Sequence, residues 1–195
     1  MGTTTKMAIP YPEATGLVKD GWEDMKDIAT QVDAKSGLVL LNTTTFSGVA
    51  TQSINDVFST NYNNYRIIGS DLQSTTDGDD LQIRLRVSGS DNTNNEYRYG
   101  RYYVGSYASQ GAGNTNNNIT SVFALVQTSS SVKNSFAADI YSPFLTSNTA
   151  YTATGSGKLL DYYAGVMTVT TSYTGFTLRG VGTLSGTLSV YGYNK

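Results

Sequence analysis

Between residues 81 and 88 every second side chain is aliphatic: Leu81, Ile83, Leu85 and Val87 alternate with Gln82, Arg84, Arg86 and Ser88. Successive side chains of an extended strand point to opposite faces, so this stretch puts its aliphatics on one side and its arginines on the other. The same period returns at Phe136, Ala138 and Ile140, at Met167 and Val169, and at Leu184, Leu188 and Val190. Weaker versions run over 38–41, 65–68, 122–126 and 176–178. Turn-forming clusters separate them: Thr76-Asp77-Gly78-Asp79, the run from Asp91 to Asn95, Gly111-Ala112-Gly113-Asn114, and Ser129-Ser130-Ser131. About eight to ten short strands joined by such turns predict a mainly β fold, an antiparallel β-sandwich of jelly-roll-like type. No repeat of fixed period is present, which disfavours a solenoid or propeller.

Composition agrees with strands and narrows the chemistry. Fifteen tyrosines and abundant Thr suit a pleated surface, while Asn and 20 glycines suit tight turns. The chain has no Cys and no His, which removes disulfides, thiolate or imidazole metal sites, and the commonest general base. Charged residues make up only 14% of 195 positions and the formal net charge is -2, so a nucleic-acid partner is not expected. No run approaches the roughly 18 apolar residues of a membrane span, and the N-terminus lacks a hydrophobic signal core. Neither membrane insertion nor secretion by that route is expected.

The first 36 residues differ from the rest. Ile9-Pro10-Tyr11-Pro12 should be extended, since proline fixes its own φ and turns the preceding residue away from helix. It reads as an arm. From Leu17 to Ala34, Val18, Trp22, Met25, Ala29 and Val32 recur at alternating spacings of four and three with Ile28 beside them, which predicts a helix. Such a stripe either packs on its own domain or forms a short three-stranded stalk. Residues 1–36 are thus read as an arm plus helical segment, and 37–195 as one β domain.

The densest aromatic stretch is Asn94 to Tyr107, which holds Tyr97, Arg98, Tyr99, Arg101, Tyr102, Tyr103 and Tyr107. Tyr and Arg cover much area with few lost rotamers and keep a polar tip, and sugar rings stack on aromatic faces. Tyr97, Arg98, Tyr99, Arg101 and Tyr103 are therefore read as receptor contacts, with a host-surface glycan as the candidate ligand. The alternative is that alternate tyrosines face the core or a neighbouring subunit. The carboxylates Asp71, Asp77, Asp79 and Asp80, and Asp91 with Asn95 and Glu96, lack the spacing of a calcium loop and read as solvated turns. No carboxylate pair is singled out for glycoside hydrolysis, Gly-x-Ser-x-Gly is absent, and Gly155-Ser156-Gly157-Lys158 lacks the first half of a phosphate loop. No catalytic residue, metal or cofactor is expected.

The opening from Thr3 to Pro12, with Gly16-Leu17-Val18-Lys19-Asp20-Gly21 and Ile28-Ala29-Thr30-Gln31-Val32-Asp33, resembles the N-terminal segment of tail-fibre and related appendage proteins of tailed bacteriophages. Asn61 to Ile67, Tyr173 to Leu178 and Gly186 to Lys195 resemble β domains found in the same proteins. The resemblance implies a homotrimer on the virion surface, made in the host cytoplasm. It implies anchoring to tail, adaptor or capsid proteins through Ile9, Pro10, Tyr11 and Pro12, and trimerisation through Val18, Trp22, Met25, Ala29 and Val32. The β domain would then be displayed for host attachment. A head-decoration or head-fibre protein is the other role open to such a chain.

Overall fold

A computed structural model of the chain describes residues 2–3, 10–11, 21–35, 37–104 and 120–194. It divides into two compact units, Met1–Val39 with Asn194, and Leu40–Tyr193 with Lys195.

In the first unit β1 (Gly2–Thr3) pairs antiparallel with β2 (Pro10–Tyr11), Gly2 opposite Tyr11 and Thr3 opposite Pro10. Of the arm residues, Ile9 and Pro12 lie outside the described residues. One helix follows, α1 (Gly21–Lys35). Gly21 is the first described residue of this helix. Glu23 lies in the first turn and Lys35 at the end, each at the pole of the helix dipole that favours its charge. Thr30 Oγ1 donates to the Lys26 carbonyl one turn back (2.8 Å). Met25 and Val32 are 64% and 47% exposed, and Ala29 is exposed with them. Val18 and the Trp22 side chain fall outside the described residues.

The second unit is built from strands. In chain order they are β3 (Leu38–Ile54), β4 (Asn64–Ser74), β5 (Asp80–Val87), β6 (Ser90–Asp91), β7 (Tyr97–Val104), β8 (Phe123–Gln127), β9 (Asn134–Tyr141), β10 (Ala150–Ser156), β11 (Leu160–Met167) and β12 (Gly175–Tyr193). The alternation folds as expected over 81–86: Leu81, Ile83 and Leu85 are buried while Gln82, Arg84 and Arg86 turn to the other face, but Val87, expected with the buried aliphatics, is exposed at the strand end. Phe136, Ala138 and Ile140 do the same on β9, and Leu184, Leu188 and Val190 on β12.

Hydrogen bonding makes one antiparallel sheet in the order β6-β5-β12-β4-β9-β10-β11-β7, with β3 added to β12 and β8 added to β5. Where alternation alone suggests two packed sheets, the chain forms a single curled one, an open half-barrel. The cause lies in β12. Its first part, Gly175–Arg179, pairs with β5, and its second, from Leu184 to Gly192, pairs with β4. Between them Gly182 adopts φ +79 and Gly186 φ +147, and the register slips between Ser185 and Thr187. Bulges of this kind sharpen the local twist, so one strand carries the sheet around a bend without ending it.

The core fills the concave side. Tyr65, Ile67, Leu81, Ile83, Leu85, Phe136, Ile140, Tyr151, Tyr163, Phe176, Leu178, Leu188 and Val190 are all at most 3% exposed. In β8, Phe123, Ala124, Leu125 and Val126 are all buried, as expected of a strand covered on both faces. Phe123 stacks on Tyr151 with centroids 4.0 Å apart and meets Tyr97 edge-on at 4.9 Å. Just before β8, Thr120 forms an isolated bridge with Tyr97, through N–H···O bonds of 2.8 and 3.0 Å. No described helix is long and apolar enough to cross a membrane.

Candidate functional site

The tyrosine- and arginine-rich stretch forms β7 and lies antiparallel to β11, Tyr102 opposite Tyr162, Arg101 opposite Tyr163 and Val104 opposite Leu160. Parity then divides its side chains between two surfaces. Arg98, Tyr102 and Val104 point outward with Leu160, Tyr162 and Val166 of β11. Tyr102 is 52% exposed, Tyr162 48%, Leu160 61% and Val104 43%, so these four form a continuous aromatic and aliphatic platform on the convex face.

The other members of the stretch turn inward. Tyr97 is fully buried; its hydroxyl accepts from Leu85 N (3.0 Å) and donates to the Asn92 carbonyl (3.1 Å). Burial pushes its pKa well up, since a phenolate there would lose its hydration. Tyr99 packs beside the core, its ring 6.0 Å from that of Tyr163. Arg101 reaches the Asp161 carboxylate, Nε and Nη2 donating to Oδ1 at 2.8 and 2.6 Å, while Asp161 Oδ2 accepts from Gln127 N (2.7 Å). The same guanidinium lies over the rings of Tyr103 (4.7 Å) and Tyr163 (5.4 Å), and its Nη1 is 3.9 Å from Asp80 Oδ1. Tyr163 donates to that Asp80 oxygen (3.1 Å). Burial raises the Asp80 pKa, opposed by the Arg101 charge. Of the five positions read from sequence as receptor contacts, Arg98 reaches the outer surface. Tyr97, Tyr99 and Arg101 hold β7 to the interior, and Tyr103 is half-buried against Arg101. Tyr102 of the same stretch points outward with Tyr162 and Leu160 of β11, which the sequence reading does not single out as contacts. Parity by itself puts Tyr97 and Tyr102 on opposite faces, but which of the two faces is buried is decided by the pairing with β11 and the bridge to Thr120.

Beside the platform the convex face becomes shallow. Across β4, β9 and β10 the register aligns Ile68 with Ala137 and Ala137 with Thr154. Ala137, Thr154, Ser70, Ser135 and Ser156 are small enough to leave an open trough of about 450 Å³, with Ile68 at its side. On the next row Arg66 grips Asp139 bidentately (2.8 and 2.7 Å), and Tyr193 donates to the same carboxylate (2.6 Å). Burial pulls the Asp139 pKa up, but hydrogen bonds from Arg66 and Tyr193 outweigh it and hold the group below the usual carboxylate range.

The acidic turns are engaged locally. Asp77 pairs with Lys158 (2.5 Å), and Glu96 accepts from Asn92 (2.8 Å) and Asn94 (3.3 Å) at the edge of a hollow of about 290 Å³. No group of three or more acidic side chains among the described residues is arranged to hold a metal ion. The outer face can therefore stack on flat, weakly polar surfaces and donate hydrogen bonds from Arg98 and the tyrosine hydroxyls. No family model matches the chain, and no curated protein matches it.

Proposed function

We propose that this chain is a non-enzymatic bacteriophage virion protein, a short tail fibre or receptor-binding appendage. Its N-terminal segment attaches to other virion proteins, α1 joins three copies, and the half-barrel, in the role of the outward-displayed β-sandwich that the resemblance implies, adheres to a glycan of the host surface. The observation that carries this reading is the outward platform of Tyr102, Tyr162, Val104 and Leu160. Contiguous apolar and aromatic area of this sort marks an interaction surface, and rings flanked by hydroxyls suit the mixed apolar and polar faces of sugars. The exposed stripe of Met25, Ala29 and Val32 on α1 supports assembly between copies.

The test is adsorption of the labelled full chain to a panel of bacterial cells, comparing the wild type with the Tyr102→Ser, Tyr162→Ser double variant. Both side chains are half exposed, so the variant is expected to fold and to lose cell binding. Equal adsorption by both proteins would remove the platform from any role in attachment.

Capsid decoration is the second reading, favoured by β3. No charged residue occurs from 37 to 55, and among the described residues this strand of 17 pairs only with β12. A long uncharged edge is a template for strand addition, as a clamp between capsomers would need. Copy number separates the two: a decoration protein covers the shell, whereas an appendage sits at one vertex.

A further inference from the structure

On the convex face of β5 and β12, three arginines lie together with one carboxylate. In the register of these strands Arg84 stands opposite Thr177, and Gln82 opposite Arg179. Arg84 and Arg179 are therefore diagonal neighbours on one face, about 7–8 Å apart at the backbone and within reach of each other's long side chains. Arg86 follows on the same edge, opposite Gly175.

The nearby acid is already committed. Asp91 Oδ1 accepts from Arg86 Nη1 and from Thr177 Oγ1 (2.6 Å). Arg86 spends its other donors on Asn55 Oδ1 (2.9 Å), Ser53 Oγ (3.1 Å) and the Gly89 carbonyl. Arg84 is held in place by Ser121, with Nε donating to its carbonyl (3.2 Å) and Nη2 to its hydroxyl (3.3 Å). Arg84 Nη1 and the whole Arg179 guanidinium have no hydrogen-bond or ion-pair partner among the described residues. Residues 105–119, which precede Ser121 in the chain, contain no acidic side chain. Arg179 is half-buried, and burial first, then the neighbouring Arg84 charge, lower its pKa against the weaker pull of Asp91. Half-desolvated guanidiniums beside one another, whose one nearby carboxylate is engaged by Arg86 and Thr177, are costly, and an anion between them removes that cost.

We propose that Arg84 and Arg179, with the Ser121 hydroxyl, form an oxoanion site that takes a phosphate, sulfate or carboxylate group. Two planar forks presenting N–H donors match the oxygens of such a group, and Ser121 fixes one fork in advance. The site lies on different strands from the Tyr102–Tyr162 platform and stands whether or not that platform binds a host. The same oxoanion can be a free ion or a substituent on a polysaccharide.

The experiment uses the full chain and follows its Tm with sodium phosphate, sodium sulfate, dextran sulfate and neutral dextran, each against sodium chloride at equal ionic strength. Wild type is expected to gain Tm from the oxoanions beyond the chloride control. That excess should vanish in Arg179→Gln and Arg84→Gln and persist in Lys133→Gln, which removes an equal charge elsewhere. Losing one charge-assisted pair should weaken dextran sulfate binding at least about tenfold. Without anion, Arg179→Gln should melt above the wild type. A response to dextran sulfate alone assigns the site to anions carried on a polymer, and a response to phosphate or sulfate as well assigns it to the ion itself. Should Arg179→Gln fail to fold, Arg179→Lys keeps the charge without the fork and is expected to bind more weakly than wild type. An excess equal in all variants, or absent from the wild type with every probe, overturns the site, since sulfate and phosphate also stabilise proteins by exclusion from their surface.

Discussion

Arg101 of β7 places two N–H groups on a single oxygen of Asp161 in β11, and the other Asp161 oxygen accepts from the backbone N–H of Gln127. One carboxylate thus ties the last strand of the sheet order to β8, which pairs at the opposite end with β5. The Asp161 side chain is fully buried and that of Arg101 is 16% exposed. Removing one member of such a pair leaves a buried charge uncompensated.

Asp161→Asn should therefore destabilise the protein by about 3 kcal/mol, the lower end for a broken buried pair because Asp80 remains near Arg101. Urea unfolding checks this, with a lower midpoint and an unchanged slope expected. Asp77→Asn, which breaks an ion pair of two exposed side chains, should leave the midpoint close to wild type.

Two glycines of the β7–β11 pair should respond oppositely to alanine. A Cβ on Gly165 would run into the Arg98 carbonyl and lie 2.7 Å from Tyr151 Cε1, whereas one on Gly100 would meet nothing within 4 Å. Gly165→Ala is expected to cost about 1–3 kcal/mol through overpacking, and Gly100→Ala to be neutral or slightly stabilising. Thermal unfolding of the two variants reads the contrast directly.

Alkali should unfold this protein steeply. Burial raises the hydroxyl pKa of Tyr65, Tyr97, Tyr99, Tyr151, Tyr163 and Tyr173 above the ordinary value of 10.0, and pushes that of Tyr193 up to about 12 with help from the Asp139 charge. The unfolded chain then releases these protons first. The stability they contribute is complete below about pH 10 and is lost as pH rises through the folded values. The part of the tyrosinate absorbance that comes from these buried phenols is expected to appear only as unfolding begins, and Tyr193→Phe should flatten the decline between about pH 10 and 12.

Light scattering of the full chain should report about three times 20.9 kDa. A Met25→Asp, Val32→Asp variant puts charge on the exposed stripe of α1 and is expected to scatter as a single copy. A wild-type mass of one copy would sink the stalk.

Period-two alternation made most strands legible. β5, β9 and the second half of β12 lie where their aliphatics predict, and the turns at 76–79, 91–95 and 129–131 separate strands as expected. β10 is not legible in the sequence, because Ala150–Ser156 offers only Tyr151 and Ala153 as buried positions among threonines and glycine. Only the first residues of β3 are legible, since Thr43, Thr44 and Thr45 give its middle no apolar contrast. The described helix spans Gly21–Lys35 within the stripe that the spacing predicts, and Leu17 to Asp20 lie outside the described residues.

What the amino-acid order determined by itself is local: strand or helix, the two faces of each strand, the turns, and a composition without thiol or imidazole. Three matters waited for tertiary structure. The sheet stays single because Gly182 and Gly186 bend β12 where it changes partner, a consequence of φ values that depend on both neighbouring strands. The tyrosines of β7 divide between core and surface because the pairing with β11 and the bridge to Thr120 choose which face meets the interior. Arg84 and Arg179, far apart in the chain, become neighbours because the β5–β12 register puts them on one diagonal. Each is a relation between segments distant in sequence, set by which hydrogen-bonded register buries the most apolar surface, and no window of neighbouring residues contains it.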